Sequence, residues 1–367
     1  MKIAIIGTRG IPNFYGGFEQ FAEYFSVYAA SKGNEVYVYN SSLHPYQEKT
    51  YKNVTLIHCK DYENILGTAG QFFYDLHCIL DARKRSFDVI LQLGYTSSSI
   101  WYKLLPKKAV IVTNMDGLEW KRSKYSNLTK KFLSFAENLA VRSSDYLIAD
   151  SKGIEAYLKK RYAIESTYIA YGATLFKNPS SDLLTQYNCS AYAYNMLLAR
   201  MEPENNIEMI LDGVASSTVT MPFLVIGSTN NTFGTYLKDK YKAQENIRFL
   251  EGVYNIEHLN NLRYYSNLYF HGHSVGGTNP SLLEAMASHS LIIAHHNEFN
   301  QSILEEDGFY FNTKEEVSFH IENTTKEKNL KKVAACMEKI KTHFDWDIIN
   351  KSYLDFLNNC VLLHSKK

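Results

Sequence analysis

Residues 270–286 combine the residue types and spacing best suited to binding an anion. An apolar strand end is followed by a loop with Gly276 and Gly277, and Pro280 then suits the first turn of a helix. Such a loop presents backbone N–H groups and the positive end of a helix dipole, which both favour a negatively charged ligand. Glu284 lies about one turn into that helix. These features predict a site for a nucleotide sugar.

Glu284 carries two carboxylate oxygens that can accept hydrogen bonds from the ribose hydroxyls of a nucleotide. The alternative is a solvent-facing helix residue, or a partner for the N–H groups of its own helix. Its position just after the glycine loop favours the ribose contact.

Arg200 directly follows an apolar strand-like run and is the second residue whose chemistry suits a phosphate. A guanidinium at a strand end can bind two phosphate oxygens at once. The alternative is a surface ion pair with Glu202 or Glu204. Because ligands of parallel α/β sheets bind beyond the carboxyl ends of the strands, we favour the phosphate contact.

Asp116 also follows a strand-like run, and Glu119 lies close to it in the chain. A carboxylate at this place could orient an acceptor hydroxyl or act as a general base. The dipeptide Asp116-Gly117 is equally typical of a simple turn. The sequence leaves both interpretations open.

Two motifs that resemble metal sites are interpreted otherwise. His271 and His273 have no Cys, Asp or third His at useful spacing, so we expect a structural or substrate-contacting role. Asp345-Trp346-Asp347 resembles a metal-binding Asp-x-Asp motif, but it opens an apolar terminal helix. We therefore predict that Asp345 caps this helix, that Trp346 packs, and that the chain has no metal site.

The first residues predict a βαβ unit: a strand at Lys2–Ile6, a glycine loop over 7–17, a helix, and a strand at Glu35–Tyr39. The glycines do not follow the dinucleotide pattern G-x-G-x-x-G, and Asn40 stands where a ribose-binding acid is expected. A nicotinamide dehydrogenase is therefore disfavoured. A long glycine loop at the ligand-binding edge of a parallel sheet remains.

Strand-like and helical patterns alternate along the rest of the chain, which is typical of doubly wound parallel sheets. The further predicted strands are Val54–His58, Val89–Leu91, Ala109–Thr113, Tyr146–Ala149, Tyr168–Ala170, Tyr194–Ala199, Phe223–Ile226, Ile247–Leu250, Leu268–Phe270, Leu291–Ala294 and Phe309–Phe311. The predicted helices are Gln71–Lys84, Leu128–Arg142, Ile154–Arg161, Ile207–Val214, Thr232–Tyr241, Ile256–Tyr265, Ser281–Ala287, Gln301–Glu305, Lys326–Lys341 and Asp345–Leu357. Turn-forming residues over 176–193 predict the interdomain linker.

Composition agrees with a soluble protein of about two domains, since the 367 residues are 45% hydrophobic and 21% charged. No apolar run approaches the ~20 residues of a membrane span, and the first seven residues are too short for a signal peptide. The five cysteines are scattered, which favours reduced thiols in a cytosolic protein.

Charge is unevenly distributed between the halves of the chain. Residues 1–175 contain 22 Lys and Arg against 16 Asp and Glu, whereas the remainder contains 17 against 22. The basic residues Lys103, Lys107, Lys108, Lys121, Arg122, Lys124, Lys130 and Lys131 alternate with Trp101, Tyr102, Trp120, Tyr125 and Phe132. A solvated face is one interpretation, and a surface for anionic lipid headgroups or a lipid-linked phosphate is the other. Nucleic acid is disfavoured, because the pI is near neutral and no recognition motif occurs.

The chain resembles family 4 glycosyltransferases of the GT-B fold, and most closely their bacterial capsule and wall-polysaccharide rhamnosyltransferase branch. The matching segments are GTRGIP (7–12), YGGFE (15–19), NMDGLEWKR (114–122), ADSKG (149–153), ARMEPENN (199–206) and HGHSVGGTNPSLLEAM (271–286). The resemblance implies two Rossmann-like domains facing across a cleft: 1–175 for the acceptor and 176–345 for the donor. A terminal helix, 346–367, is expected to pack back on the first domain.

The resemblance also implies residue roles, a retaining mechanism, and no metal or other cofactor. Arg200 would hold the diphosphate, Glu284 the ribose, and Asp116 would be catalytic or orient the acceptor. The implied donor-binding residues are Gly16, Gly17, Arg200, Gly276, Gly277, Thr278, Asn279, Ser281 and Glu284, and the implied acceptor-binding residues are Glu19, Asp116 and Glu119.

Two positions depart from the family pattern. Asn205 stands where a phosphate-binding lysine is common, and Gly276 replaces a glutamate that contacts sugar hydroxyls. A smaller, uncharged pocket would suit a 6-deoxy sugar, so dTDP-rhamnose is the expected donor, with UDP and GDP sugars still open. Arg9 or the amides of 279–281 could supply the missing anion contact.

The expected function is therefore sugar transfer to a lipid-diphosphate-linked saccharide in bacterial surface polysaccharide synthesis. The protein would be cytoplasmic and peripheral on the inner face of the membrane, with its basic first domain against anionic lipid. A sugar-nucleotide epimerase or hydrolase of the same fold is one alternative. A non-catalytic nucleotide-sugar-binding protein is the other.

Overall fold

The computed structural model describes residues 1–14, 16–122, 125–253 and 255–366, so Lys124 of the basic stretch lies outside it. Unit 1 consists of Met1–Trp120, Ser126–Tyr171 and Trp346–Lys367, and unit 2 consists of Lys121–Tyr125 and Gly172–Asp345. The division near residue 171 lies slightly before the predicted boundary at 175. The predicted linker over 176–193 is wrong, because this segment belongs to unit 2 and contains a 3₁₀ helix, Ser181–Tyr187.

Each unit is built on one sheet. The strands are β1 Lys2–Ile6, β2 Glu35–Ser41, β3 Thr50–Tyr51, β4 Val54–Cys59, β5 Val89–Leu93, β6 Val110–Asn114, β7 Tyr146–Ala149, β8 Thr167–Tyr168, β9 Asn195–Leu198, β10 Phe223–Ile226, β11 Ile247–Leu250, β12 Tyr269–His271, β13 Ile292–His295 and β14 Phe309–Phe311. Unit 1 has the order β3-β4-β2-β1-β5-β6-β7-β8, in which only β3 is antiparallel to its neighbour. Unit 2 has the all-parallel order β11-β10-β9-β12-β13-β14.

Helices alternate with these strands. They are α1 Gly17–Ser31, α2 Glu63–Leu66, α3 Gly70–Ala82, α4 Asn127–Ser143, α5 Lys152–Tyr162, α6 Ile207–Ser216, α7 Thr232–Lys240, α8 Ile256–Tyr265, α9 Pro280–Ala287, α10 Glu298–Leu304, α11 Lys314–Asn323, α12 Leu330–Lys339 and α13 Trp346–His364. Further 3₁₀ helices cover Gly67–Ala69, Ser99–Leu104, Glu119–Lys121, Pro203–Asn205 and Glu327–Asn329, and a π-helical turn covers Ile340–Phe344. The two parallel-sheet α/β domains confirm the predicted fold class.

The burial of the strands explains why they could be predicted from apolar runs in the sequence. The central strands β1, β5 and β10 are buried along nearly their whole length, so they are continuous apolar runs rather than alternating ones. The helix α11 was missed, because only Val317 and Ile321 are buried along it. Two apolar positions make a weak helical signal.

The terminal helix α13 belongs to unit 1. Trp346 is buried and its ring stacks on Tyr24 at 4.5 Å, which confirms the predicted packing role. The Tyr353 ring lies 4.4 Å from that of Phe21, and its hydroxyl accepts a hydrogen bond of 2.8 Å from Asn114 Nδ2. The last helix therefore completes the core of the unit that the first residues begin.

Two general properties complete the fold. All five cysteines are free thiols, and four of them are buried. None of the described helices is both long and apolar enough to span a membrane.

Candidate functional site

The predicted site residues divide between the two units. Unit 2 contains Arg200 and the loop and helix over 276–284, whereas unit 1 contains the glycine loop and Asp116.

The loop between β12 and α9 ends in a capped helix. Asn279 is the N-cap of α9, and its Oδ1 accepts hydrogen bonds from the backbone N–H and the hydroxyl of Ser281, both at 2.9 Å. Pro280 occupies the first turn, as predicted. Asn279 and Ser281 therefore fix the helix start whose dipole favours an anion.

Side-chain hydrogen bonds hold the same loop against the turn that follows β9. Asn206 Nδ2 donates to the Gly272 carbonyl at 2.7 Å, and Ser274 Oγ donates to the Glu204 carbonyl at 2.7 Å. Gly272 is required here, because a Cβ would collide with the Asn205 carbonyl oxygen. These contacts hold the ends of two adjacent strands at one edge of the sheet.

Arg200 lies at this edge, just beyond β9, with its side chain exposed. Among the described residues no carboxylate forms an ion pair with it, so the alternative pairing with Glu202 or Glu204 is not observed. Asn205 Nδ2 donates to the Arg200 carbonyl at 2.8 Å, so Asn205 shapes the strand-end turn. The guanidinium is thus a cation with room for a ligand.

Glu284 forms an ion pair that sequence analysis did not anticipate. Its Oε2 lies 2.6 Å from Arg263 Nη2, and the Arg263 side chain is 0% exposed. Arg263 Nη1 also donates to Asn260 Oδ1 at 3.1 Å. The available signal was a basic residue at helical spacing on the buried face of α8, beside Leu259 and Leu262.

Gly276 has a positive φ of 130°, a backbone conformation that L side chains rarely adopt. A Cβ there would meet open space, so the constraint is the backbone and not a neighbour. Glycine at 276 therefore has a conformational reason in addition to any effect on the sugar pocket. Gly277 beside it is partly buried, and Thr278 is buried.

Two histidines, one at the end of β12 and one just after it, form a stacked pair. The rings of His271 and His273 lie 4.5 Å apart and nearly parallel. Burial lowers the pKa of His271 well below its usual value, and burial together with the charge of Arg200 lowers the pKa of His273 to about 3. Both rings are therefore neutral at pH 7. Within the described ranges neither belongs to a group of three or more possible metal ligands.

In unit 1 the glycine loop is held by two buried polar side chains. Glu19 Oε1 accepts hydrogen bonds from the Arg9 backbone N–H at 2.8 Å and from Thr8 Oγ1 at 3.1 Å. Asn40 makes two bonds with the backbone of Ile11, at 3.1 and 2.8 Å. Glu19, which was predicted to contact the acceptor, therefore holds the glycine loop in place. Asn40 also holds this loop, although it occupies the position at which a dinucleotide-binding fold has its ribose-binding acid.

Arg9 does not have a free guanidinium for a phosphate. It pairs with both carboxylate oxygens of Glu63, at 2.6 and 2.9 Å, and holds the pKa of Glu63 below its usual value. The suggestion that Arg9 compensates for the missing lysine is therefore disfavoured.

Gly16 and Gly17 lie at the start of α1. Gly16 is the N-cap in an extended conformation, and its carbonyl accepts the first intrahelical bond, from Gln20 N at 3.0 Å. The helix N-terminus and the loop of unit 1 therefore meet at the predicted position.

Asp116 lies in a turn directly after β6. It has a left-handed φ of 48°, and its N–H donates to Asn114 Oδ1 at 2.9 Å. The turn interpretation is thus correct for the backbone, while the carboxylate remains partly exposed. Burial raises the pKa of Tyr95, and the charges of Glu137, Glu119 and Asp116 add to this effect. Burial also raises the pKa of Tyr171, to which Asp116 makes the largest charge contribution.

Comparisons with known proteins agree with this fold. Residues 1–174 match a family described as a domain of unknown function, DUF1972. No curated protein matches the sequence significantly.

Several solved structures are similar over nearly the whole chain. Sucrose-phosphate synthase from Thermosynechococcus elongatus has a TM-score of 0.81 at 16% identity, with 100% of both chains covered. Anabaena Alr3699/HepE, crystallised with UDP and glucose, has a TM-score of 0.74 at 15% identity, with 98% of this chain and 100% of that chain covered. WaaG, a glycosyltransferase involved in lipopolysaccharide biosynthesis, has a TM-score of 0.72 at 12% identity, with 96% and 98% covered. At these identities the likeness establishes the GT-B fold, as predicted, and not the activity.

Proposed function

We propose that the protein is a retaining glycosyltransferase that takes a sugar from a nucleotide donor. The observation that carries this proposal is the exposed Arg200 guanidinium just beyond β9, which has no ion-pair partner among the residues that the structure describes, on the sheet edge that the β12–α9 loop also occupies. A cation and a helix N-terminus together suit a diphosphate. The UDP and glucose bound by HepE, which has the same fold, support a nucleotide sugar as ligand.

In the proposed reaction each unit has its own task. Arg200 and the α9 N-terminus stabilise the departing diphosphate without a metal, and Glu284 accepts hydrogen bonds from the ribose. Asp116 orients or deprotonates the acceptor hydroxyl, and Gly16 and Gly17 allow close approach of substrate to the α1 N-terminus. Glu119 would contact the acceptor, whereas Glu19 acts by holding the loop.

For the donor we propose dTDP-L-rhamnose. The support is the uncharged Gly276, which removes a carboxylate that would bind hydroxyl groups of a hexose. UDP and GDP sugars are the competing donors, and the first experiment separates them.

For the acceptor we propose a lipid-diphosphate-linked saccharide of a bacterial surface polysaccharide, at the inner face of the membrane. The support is the excess of basic residues in the first half of the chain. The similar fold of WaaG, a lipopolysaccharide enzyme, agrees with this class of pathway.

A donor and acceptor panel tests the proposal. The protein is incubated with dTDP-rhamnose, UDP-glucose and GDP-mannose, with and without undecaprenyl-diphosphate-linked saccharide, and nucleotide release is measured. Release that requires the acceptor and favours dTDP-rhamnose supports the whole proposal. Release without acceptor would indicate a hydrolase or epimerase, and binding without any release would indicate a non-catalytic protein.

The variant Arg200→Ala tests the proposed contact between the Arg200 guanidinium and the diphosphate. We expect kcat/KM to fall at least ~10-fold, because a charge-assisted contact to the diphosphate is lost. Arg248→Ala is the matched control, since Arg248 lies on β11 and donates to the Asn188 carbonyl at 3.1 Å. Equal activity of both variants would remove Arg200 from the site.

A further inference from the structure

Helix α4 of unit 1 has two apolar faces, and only one of them is covered by protein. Leu133, Ala136 and Ala140 are buried against the unit. On the opposite side Leu128 is 80% exposed and Phe135 56% exposed, with the exposed Phe132 between them at helical spacing. A soluble helix normally presents polar residues there, so this exposed stripe calls for a partner.

The stripe continues onto neighbouring elements of unit 1. The Phe72 ring of α3 lies 5.7 Å from that of Phe132, and the Phe72 carbonyl accepts a 2.8 Å bond from Trp101 Nε1. These contacts join α3, α4 and the 3₁₀ helix at Ser99–Leu104. The members of this exposed apolar surface are Leu128, Phe132 and Phe135 of α4.

Positive charge borders the exposed apolar surface. The unit 1 segments 101–120 and 126–135 contain five lysines against two acidic residues. Lys131 is exposed within the α4 stripe, and Lys103 is exposed on the 3₁₀ helix that packs against α4. Glu63, the acid on α2, is neutralised by its pair with Arg9. A partner of complementary chemistry therefore has an apolar interior and an anionic surface.

We propose that the exposed apolar surface inserts into the headgroup region of a bilayer that contains anionic lipids. Leucine and phenylalanine side chains enter the acyl boundary while lysines contact the lipid phosphates, as in interfacial amphipathic helices. The proposal refines the membrane contact in the proposed function, but vesicle binding needs neither donor nor turnover. Its failure is therefore distinct from failure of the transferase activity.

Vesicle sedimentation tests the proposal with the full chain. Wild type is compared with Phe132→Ser/Phe135→Ser on phosphatidylcholine vesicles with and without ~30% phosphatidylglycerol. We expect wild type to bind only the anionic vesicles, and the double variant to lose at least ~10-fold in partitioning. Phe319→Ser on α11 is the matched control, since Phe319 is 59% exposed in unit 2, and it should bind like wild type.

Three outcomes would overturn the proposal. The first is a wild-type protein that does not bind anionic vesicles. The second is a double variant that binds these vesicles as strongly as the wild type does. The third is a wild-type dimer in light scattering that the double variant converts to a monomer, because the surface would then join two copies of the chain. Melting temperatures and turnover on a detergent-solubilised acceptor check that the double variant is folded and that its site is intact.

Discussion

Arg263 and Glu284 form an ion pair between a fully buried guanidinium and a carboxylate near the surface. A buried charge is tolerated only with a partner, so Arg263 restricts the orientations open to the Glu284 carboxylate. If Glu284 binds ribose, Arg263 is a positioning residue that acts through it. Lys326, by contrast, is a buried lysine of the same unit whose Nζ donates to the Tyr264 carbonyl.

Arg263→Met is therefore expected to raise the donor KM at least ~10-fold with a smaller effect on kcat, because the carboxylate loses its fixed orientation. Steady-state kinetics at varied donor concentration measure the donor KM and kcat separately. Lys326→Met is the control: it also replaces a buried basic side chain of unit 2, and its donor KM should stay at the wild-type value. A wild-type KM in Arg263→Met would show that the ion pair serves stability alone.

The β12–α9 loop is an element in which stability depends on neutral histidines. His271 and His273 are neutral in the folded protein, whereas an unfolded histidine titrates near pH 6.5. The unfolded chain therefore binds more protons below pH 6.5, and the stability contributed by the neutral rings is lost as pH falls from there toward 3. Asp75, whose pKa burial raises to about 6, opposes this trend in unit 1.

We expect the free energy of unfolding to fall by about 1 to 2 kcal/mol per histidine between pH 7 and pH 5. Urea unfolding of wild type and of His271→Gln and His273→Gln at both pH values measures this change. Each variant should show a smaller pH dependence, and comparison with wild type cancels the effect of Asp75. The control is His343→Gln, at an exposed position. An unchanged pH dependence in both loop variants would contradict the assignment.

At the scale of the whole molecule, the chain leaves unit 1 near residue 171 and returns to it at Trp346. The unit is thus assembled from segments far apart in the sequence. Trp346 and Tyr353 pack on the aromatic rings of α1, so the core of unit 1 is incomplete until the last helix has formed.

Trp346→Ala should lower the free energy of unfolding of unit 1 by about 3 to 5 kcal/mol, as expected for removal of a buried tryptophan. Urea unfolding followed by tryptophan fluorescence suits this measurement, since the two remaining tryptophans, Trp101 and Trp120, both belong to unit 1. Leu362→Ala, at an exposed position of the same helix, should change stability little. A Trp346→Ala protein as stable as wild type would contradict a role for α13 in this core.

Elements with a local signal were predictable from the order of residues alone. The strands Phe223–Ile226 and Ile247–Leu250 have the predicted bounds. Phe223–Ile226 was predictable because a buried parallel strand is a short apolar run. The start of α9 was equally predictable, since proline within a helix is tolerated mainly in the first turn, where Pro280 lies.

The partners of the polar side chains, in contrast, depend on how the elements pack together. Arg263 meets Glu284 because α8 and α9 pack side by side, and Arg9 meets Glu63 across 54 residues of chain. Likewise, the positive φ of Gly276 shows a backbone constraint where the sequence showed only a missing acid. Local patterns encode which face of an element is apolar, whereas the partner of a charge depends on which elements the fold brings together.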